Sequence, residues 1–182
     1  MKNSKLINLL KALTEKELKV FDKYLTVFQG RNTFVIKLFR HVKKYHPNFE
    51  HRWLNKEYIA KKILGGVSLK RVSNEASQLC KILEDYLVFQ QLQSPESVYE
   101  KEKLLLQALK HRGVDDVFYK QLTYLKKLID EIPLDSNYHL RLMNMHHENY
   151  IYSSIDKSKY EESTFGLIES ELKKFFEENL LK

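Results

Sequence analysis

Apolar residues recur along this chain at intervals of three and four for nearly its whole length, the period of helices buried on one face. Leu6, Leu9, Leu10 and Leu13 open the pattern as a short amphipathic helix. Thr14 and Glu17 follow with capping-box spacing, in which each side chain satisfies a backbone N–H of the other. Leu18, Phe21, Leu25 and Phe28 predict the core face of the second helix, and Gly30 is expected to close it in a left-handed C′ conformation. Phe34, Val35, Leu38, Phe39, Val42 and Tyr45 make a third. Pro47 stops it, because proline lacks an N–H and restricts His46. Trp53 and Leu54 are expected to clamp the next loop onto the core.

The stretch from Asn55 to Gln91 organises the front half. Asn55 caps a fourth helix, with Tyr58, Ile59, Ile63 and Leu64 inward and Lys56, Lys61 and Lys62 outward. Gly65-Gly66, the only adjacent glycine pair, breaks it. Ser68 then caps a long helix whose inner face is Leu69, Val72, Ala76, Leu79, Leu83, Tyr86 and Leu87. Helix, tight turn, helix is the outline of a helix-turn-helix and equally of a plain α-hairpin.

Ser94-Pro95-Glu96 reads as a restart: cap, proline at the first helical position, acid in the first turn. The domain boundary is placed here, giving a front region 1–93 and a back region 94–182. Val98, Leu105, Ala108 and Leu109 make the next helix, closed by Gly113. Val114, Val117, Phe118, Leu125, Leu128 and Ile129 make its partner, closed at Pro133. A cap at Asp135 or Ser136 begins another, through Leu142, Met145 and Tyr152. After Ser153-Ser154 and a polar break comes the last, with Phe165, Ile168, Leu172, Phe175 and Phe176 inward and Leu180-Leu181 at its end. The two pairs begin about 40 residues apart, within the range of helical repeats, though fewer than the ~3 units such a stack needs.

Composition sharpens this picture in three places. Five Gly and three Pro in 182 residues favour long helices over many turns. Tyr and Phe, 21 together, alone would suit strands, but their helical spacing overrides that. Charge is uneven: residues 1–93 hold 18 Lys/Arg against 8 Asp/Glu, and residues 94–182 hold 13 against 16. A basic front half points to nucleic acid or an acidic partner, or else to solvated helix faces.

Candidate chemistry is sparse. Cys80 stands alone, which excludes an internal disulfide, suits a reducing compartment and reads as a small core residue. No run approaches the ~18 apolar residues of a membrane span. Lys11 interrupts the opening apolar stretch, so no secretory leader is read and a cytoplasmic location is expected. With Leu69, Val72 and Ala76 inward, Lys70, Arg71, Asn74 and Gln78 point outward. Arg71, Asn74 and Gln78 form one stripe at i, i+3, i+7. Arginine suits guanine, and asparagine or glutamine suits adenine, while Lys56, Lys61 and Lys62 could meet phosphates. Glu75, in their midst, would repel them. His139, Met143, His146 and His147 span two turns, but Ile151 stands where HExxH needs its second histidine, and they read as partly buried helix residues. The acid pairs Asp115-Asp116, Glu161-Glu162 and Glu177-Glu178 suit helix starts and solvated faces. No phosphate loop or nucleophile elbow is present, so no catalytic residue, metal or cofactor is assigned.

The segments LTEKELKVFDKYL, LFRHVKKYHPNF, LNKEYIAKKIL and LCKILEDYLVFQQL, in the span from Leu13 to Gln93, resemble bacterial all-helical proteins without a settled activity. Those pair a helix-turn-helix-like N-terminal region with degenerate tetratricopeptide-like hairpins. The resemblance implies fold rather than function. The expectation is an all-α protein with an N-terminal helical bundle, winged-helix-like or a hairpin, followed by repeat-like α-hairpins. Its expected role is a non-catalytic scaffold for protein partners, with no membrane partner. The alternative is a DNA-binding regulator using residues 55–78.

Overall fold

The structure is a computed structural model that describes residues 4–29, 33–155 and 162–180. Gly30, Glu161 and Leu181, each given a role by the sequence pattern, lie outside the described residues. Among the described residues all regular structure is helical. The chain divides into two compact units, Met1–Gln91 and Leu92–Lys182.

The first unit contains α1 (Lys5–Lys11), α2 (Glu15–Gln29), α3 (Phe34–Lys43), a 3-10 turn (Arg52–Leu54), α4 (Lys56–Tyr58) running on as a π-helical stretch (Ile59–Ile63), and most of α5 (Leu69–Leu92). Each start has its cause in a short polar side chain. Ser4 accepts from the Ile7 N–H, and Thr33 from the Ile36 N–H. Thr14 closes the expected capping box: Glu17 N–H donates to its Oγ1 at 3.2 Å, and its own N–H donates to Glu17 Oε2 at 2.7 Å. Asn55 Oδ1 accepts from the Tyr58 N–H at 2.6 Å, and Ser68 Oγ from the Arg71 N–H at 3.2 Å. Caps of this kind contribute about 1 kcal/mol each.

These starts deliver the apolar faces to one core. Phe21 of α2 meets Phe39 of α3 edge-on at 5.0 Å, and Tyr86 of α5 lies 5.0 Å from the same Phe21 ring. Helix α3 is buried through Val35, Ile36, Leu38, Phe39, His41 and Val42, which is more than one face. His41 is tolerated there because its Nε2 lies 3.0 Å from the Trp53 carbonyl oxygen. Burial pushes its pKa down. Leu54 is buried, whereas Trp53 stays at the surface, stacked on Tyr58 at 5.4 Å. Phe28 and Leu69, expected inward, are exposed.

The second unit contains a 3-10 turn (Pro95–Ser97), α6 (Val98–Lys110), α7 (Asp115–Glu131), α8 (Tyr138–Ile155) and α9 (Glu162–Leu180). Consecutive helices pack as two hairpins, α6 with α7 and α8 with α9. Leu106, Phe118, Leu125, Ile129 and Met145 form the centre, and the Phe118 and Tyr152 rings stack at 3.8 Å. Here the apolar pattern misplaces the faces. Leu105, Val114 and Val117 are exposed, and Tyr99 and Leu106 point inward instead. A buried carboxylate explains the roll of α6. Glu148 of α8 accepts from Gln107 Nε2 at 2.6 Å and from Lys110 Nζ at 2.5 Å. Both donors must face α8, and Leu106 turns in with them.

Two predictions follow from these contacts. Gly66 has φ +87°, with open space where a Cβ would sit, so Gly66→Ala carries only the backbone cost of a left-handed residue. Urea unfolding should show a loss of about 1–2 kcal/mol. For Glu148, burial raises the pKa, but the Lys110 and Gln107 hydrogen bonds more than offset that, so the folded value is depressed. The stability it contributes is therefore present above the unfolded carboxylate pKa and lost as pH falls through the folded one. Glu148→Gln should flatten that acid-side fall and cost about 3 kcal/mol near neutral pH, because Lys110 is left buried without its partner.

Candidate functional site

Three surfaces carry side chains whose arrangement goes beyond packing. The first is the α4–α5 region. Gly65 and Gly66 both have positive φ, and the Gly66 N–H reaches the Ala60 carbonyl at 2.8 Å, so the turn is closed by its own backbone. Lys61, Lys62, Lys70 and Asn74 are exposed. Lys56 Nζ donates to Ser73 Oγ at 2.9 Å, which ties α4 to α5. Arg71 is drawn sideways: its Nε lies 2.6 Å from Glu75 Oε1, and its guanidinium sits over the Phe34 ring at 5.3 Å. Glu75 is buried rather than outward, so it neutralises Arg71 instead of standing among the cations. Gln78 donates to Gln29 Oε1 at 3.3 Å. Thus Arg71 and Gln78 of the expected reading stripe have intramolecular partners, while Asn74 between them faces solvent.

Beside this region lies a groove of about 660 Å³ between α1, the start of α4 and the middle of α5. Leu6 and Ala76 contribute its apolar lining, and Lys5, Lys56 and Lys81 its cations. Cys80 lies here. Burial and the Glu84 carboxylate, which accepts from Sγ at 3.4 Å, push its thiol pKa up. A thiol held protonated is a poor nucleophile. Lys5, 2.6 Å from Glu84, already balances that carboxylate.

The second surface is on α9. Its buried residues are polar: Thr164 is 3% exposed and Glu171 7%. Glu171 Oε2 lies 2.6 Å from His139 Nδ1, and Lys174 Nζ donates to Oε1 at 2.9 Å. His139 Nε2 lies 3.1 Å from Glu178 Oε1. Burial raises the Glu171 pKa, but the bonds from Lys174 and His139 more than offset this and hold it below the usual carboxylate range. The run around His139 thus serves the α8–α9 contact. Among the described residues no group of three His, Cys, Asp or Glu side chains is arranged to hold a metal. Because the ionic face of α9 points at α8, Phe165, Leu172 and Phe176 are left largely open, although the Phe165 ring stays 5.9 Å from that of Tyr150 on α8. The three are 54%, 37% and 49% exposed, against the expectation that this row is core.

No protein-family model, curated protein or solved structure matches the chain.

The third surface lies between α2 and α3, where Lys19, Lys23, Arg40, Lys43 and Lys44 gather around Asp22 and Glu15. The signal for it was present in the sequence as two cation stripes of equal spacing. It shows only once α2 and α3 are known to be neighbours.

The pairing of Arg71 makes a stability prediction. Arg71→Ala leaves the buried Glu75 carboxylate without its cation and should cost about 1 kcal/mol in chemical unfolding, a modest value because the arginine is half exposed. Lys70→Ala should stay within about 0.5 kcal/mol of the parent.

Proposed function

We propose that this protein is a non-catalytic helical scaffold that binds other proteins, and that α9 is a docking row for an amphipathic helix of a partner. The observation that carries this reading is the inverted burial of α9: Thr164 and Glu171 inside, Phe165, Leu172 and Phe176 outside. An uncovered apolar row costs solubility, and such rows mark surfaces on which another apolar surface docks.

The row has the shape of one helix. Phe165, Leu172 and Phe176 fall at i, i+7 and i+11, a line of about 16 Å and three turns. Ile168 and Phe175, half-buried, border it on the α8 side. Glu169 and Lys173 are exposed along the other border, Lys173 in a 3.9 Å surface pair with Glu177 that an acidic side chain of an incoming helix can replace. An amphipathic helix with apolar residues at i, i+3 or i+4 and i+7 fits such a row.

Selection from a displayed library of random peptides on the purified protein tests this. Enriched peptides are expected to be amphipathic helices, and Leu172→Glu is expected to weaken them about tenfold or more while circular dichroism shows α9 retained. Equal binding by the variant, or enrichment without helical period, overturns the reading. A concentration-dependent dimer dissolved by Leu172→Glu would replace the partner helix with a second copy.

A further inference from the structure

Two rows of cations, separate in sequence, each send two members to one pair of adjoining grooves: Lys19 and Lys23 from the first, Arg40 and Lys44 from the second. On α2, Lys16, Lys19 and Lys23 fall at i, i+3, i+7. On α3 and its C-cap, Lys37, Arg40 and Lys44 repeat the spacing. The two helices pack side by side through Phe21 and Phe39. Between them runs a groove of about 600 Å³ bordered by Lys19, Lys23, Arg40 and Lys43. A second groove of about 240 Å³ continues it, sharing Lys19 and Lys43 and adding Lys44.

The acids facing this surface are few. Asp22 lies in the first groove, where Arg40 Nε donates to Oδ1 at 3.1 Å and Lys43 Nζ to Oδ2 at 3.0 Å. Arg40 Nη2 also donates to Thr26 Oγ1 at 3.3 Å, so the guanidinium is fixed at the rim. Glu15 borders the second groove. Lys19, Lys23 and Lys44 are exposed. Five cations against two carboxylates leave a net positive channel, and the field of such a channel attracts a polyanion.

Charge spacing and the lack of anchors select among polyanions. Seven residues of helix span about 10 Å, the length over which one strand of a duplex carries about three phosphates. A protein segment binds chiefly through large apolar or aromatic side chains seated in pockets. Val27 and Leu18 are the apolar side chains lining these grooves; Val27 is exposed and Leu18 belongs to the core. Lysine on a flexible stem recognises phosphate as a point charge and reads no base.

We infer that the α2–α3 groove binds the phosphate backbone of a nucleic acid without reading its sequence, through Lys19, Lys23 and Lys44 together with the surplus charge of the Arg40–Lys43 pair on Asp22. The site is distinct from the α4–α5 region and independent of the docking row on α9.

Fluorescence anisotropy of the whole chain with a labelled random-sequence duplex, followed across salt concentrations, tests it. About four phosphate contacts give a slope of log K on log salt near −3.5, or about a hundredfold loss between 50 and 200 mM. Lys19→Gln with Lys23→Gln should flatten the slope by about two and weaken binding roughly tenfold or more, with no change in unfolding temperature. Lys61→Gln with Lys62→Gln should leave the slope unchanged. The inference is overturned by no binding at low salt, by a slope unmoved in the α2 pair, or by a slope flattened only in the α4 pair. Poly-glutamate competing as well as duplex per unit charge overturns it in favour of an acidic protein.

Discussion

Burying α3 on more than one side is the constraint from which the first unit follows. A helix whose Val35, Ile36, Leu38, Phe39 and Val42 are all withdrawn from water needs neighbours on several sides. The helix α2 covers it through Phe21, the α4 segment through Ile59 and Ala60, and α5 closes the core through Val72, Leu79, Leu83 and Tyr86. Each neighbour has one apolar stripe, so each can serve only one side. What is left of α3 for solvent is the narrow strip of Lys37 and Arg40, with Lys43 half-buried beside it and Lys44 just beyond its end. The basic groove is thus a by-product of core packing: with so much of the helix buried, its charges have one way out.

In the second unit, buried charge sets the roll of the helices. A carboxylate taken from water must find donors, and its requirement is stronger than that of any single leucine. Glu148 takes Gln107 and Lys110, and α6 turns to supply them. Glu171 takes His139 and Lys174, and α9 turns likewise. The leucines and phenylalanines on the far sides are carried outward. The same physical cause produces the exposed row of α9 and the exposed Leu105 of α6.

The helical class, the caps at Thr14, Asn55 and Ser68, the Gly65-Gly66 turn and the core positions Phe21, Leu79 and Leu83 could be read along the chain, because each depends on neighbours within a few residues. The inward faces of α6 and α9 could not. Apolar periodicity marks which residues could be buried, while Glu148 and Glu171 decide which are, and their partners lie 38 and 32 residues away. The stripe at Arg71 and Gln78 was read as free for the same reason: the burial of Glu75 and the approach of Gln29 depend on tertiary neighbours. The α2–α3 groove needed two stripes to be recognised as adjacent, which no single-segment pattern contains. The first unit, joined mainly by apolar stripes, was therefore the more legible of the two.

The turn leading into Gly65-Gly66 carries one more consequence. Leu64 N–H bonds to the Ile59 carbonyl at 3.0 Å, five residues back, where an α-turn would close at four. The wider ring accommodates an extra residue while Ile59, Ala60 and Leu64 all remain in the core. The Asn55 and Ser68 caps fix the two ends of this segment, so a change in its length is absorbed by the width of the turn between them. Removal of one residue from the α4 segment would exchange π for α geometry and leave the cap of the long helix in place. The slack of this segment is thus held inside a helix, where a uniform α-helical ladder would have none.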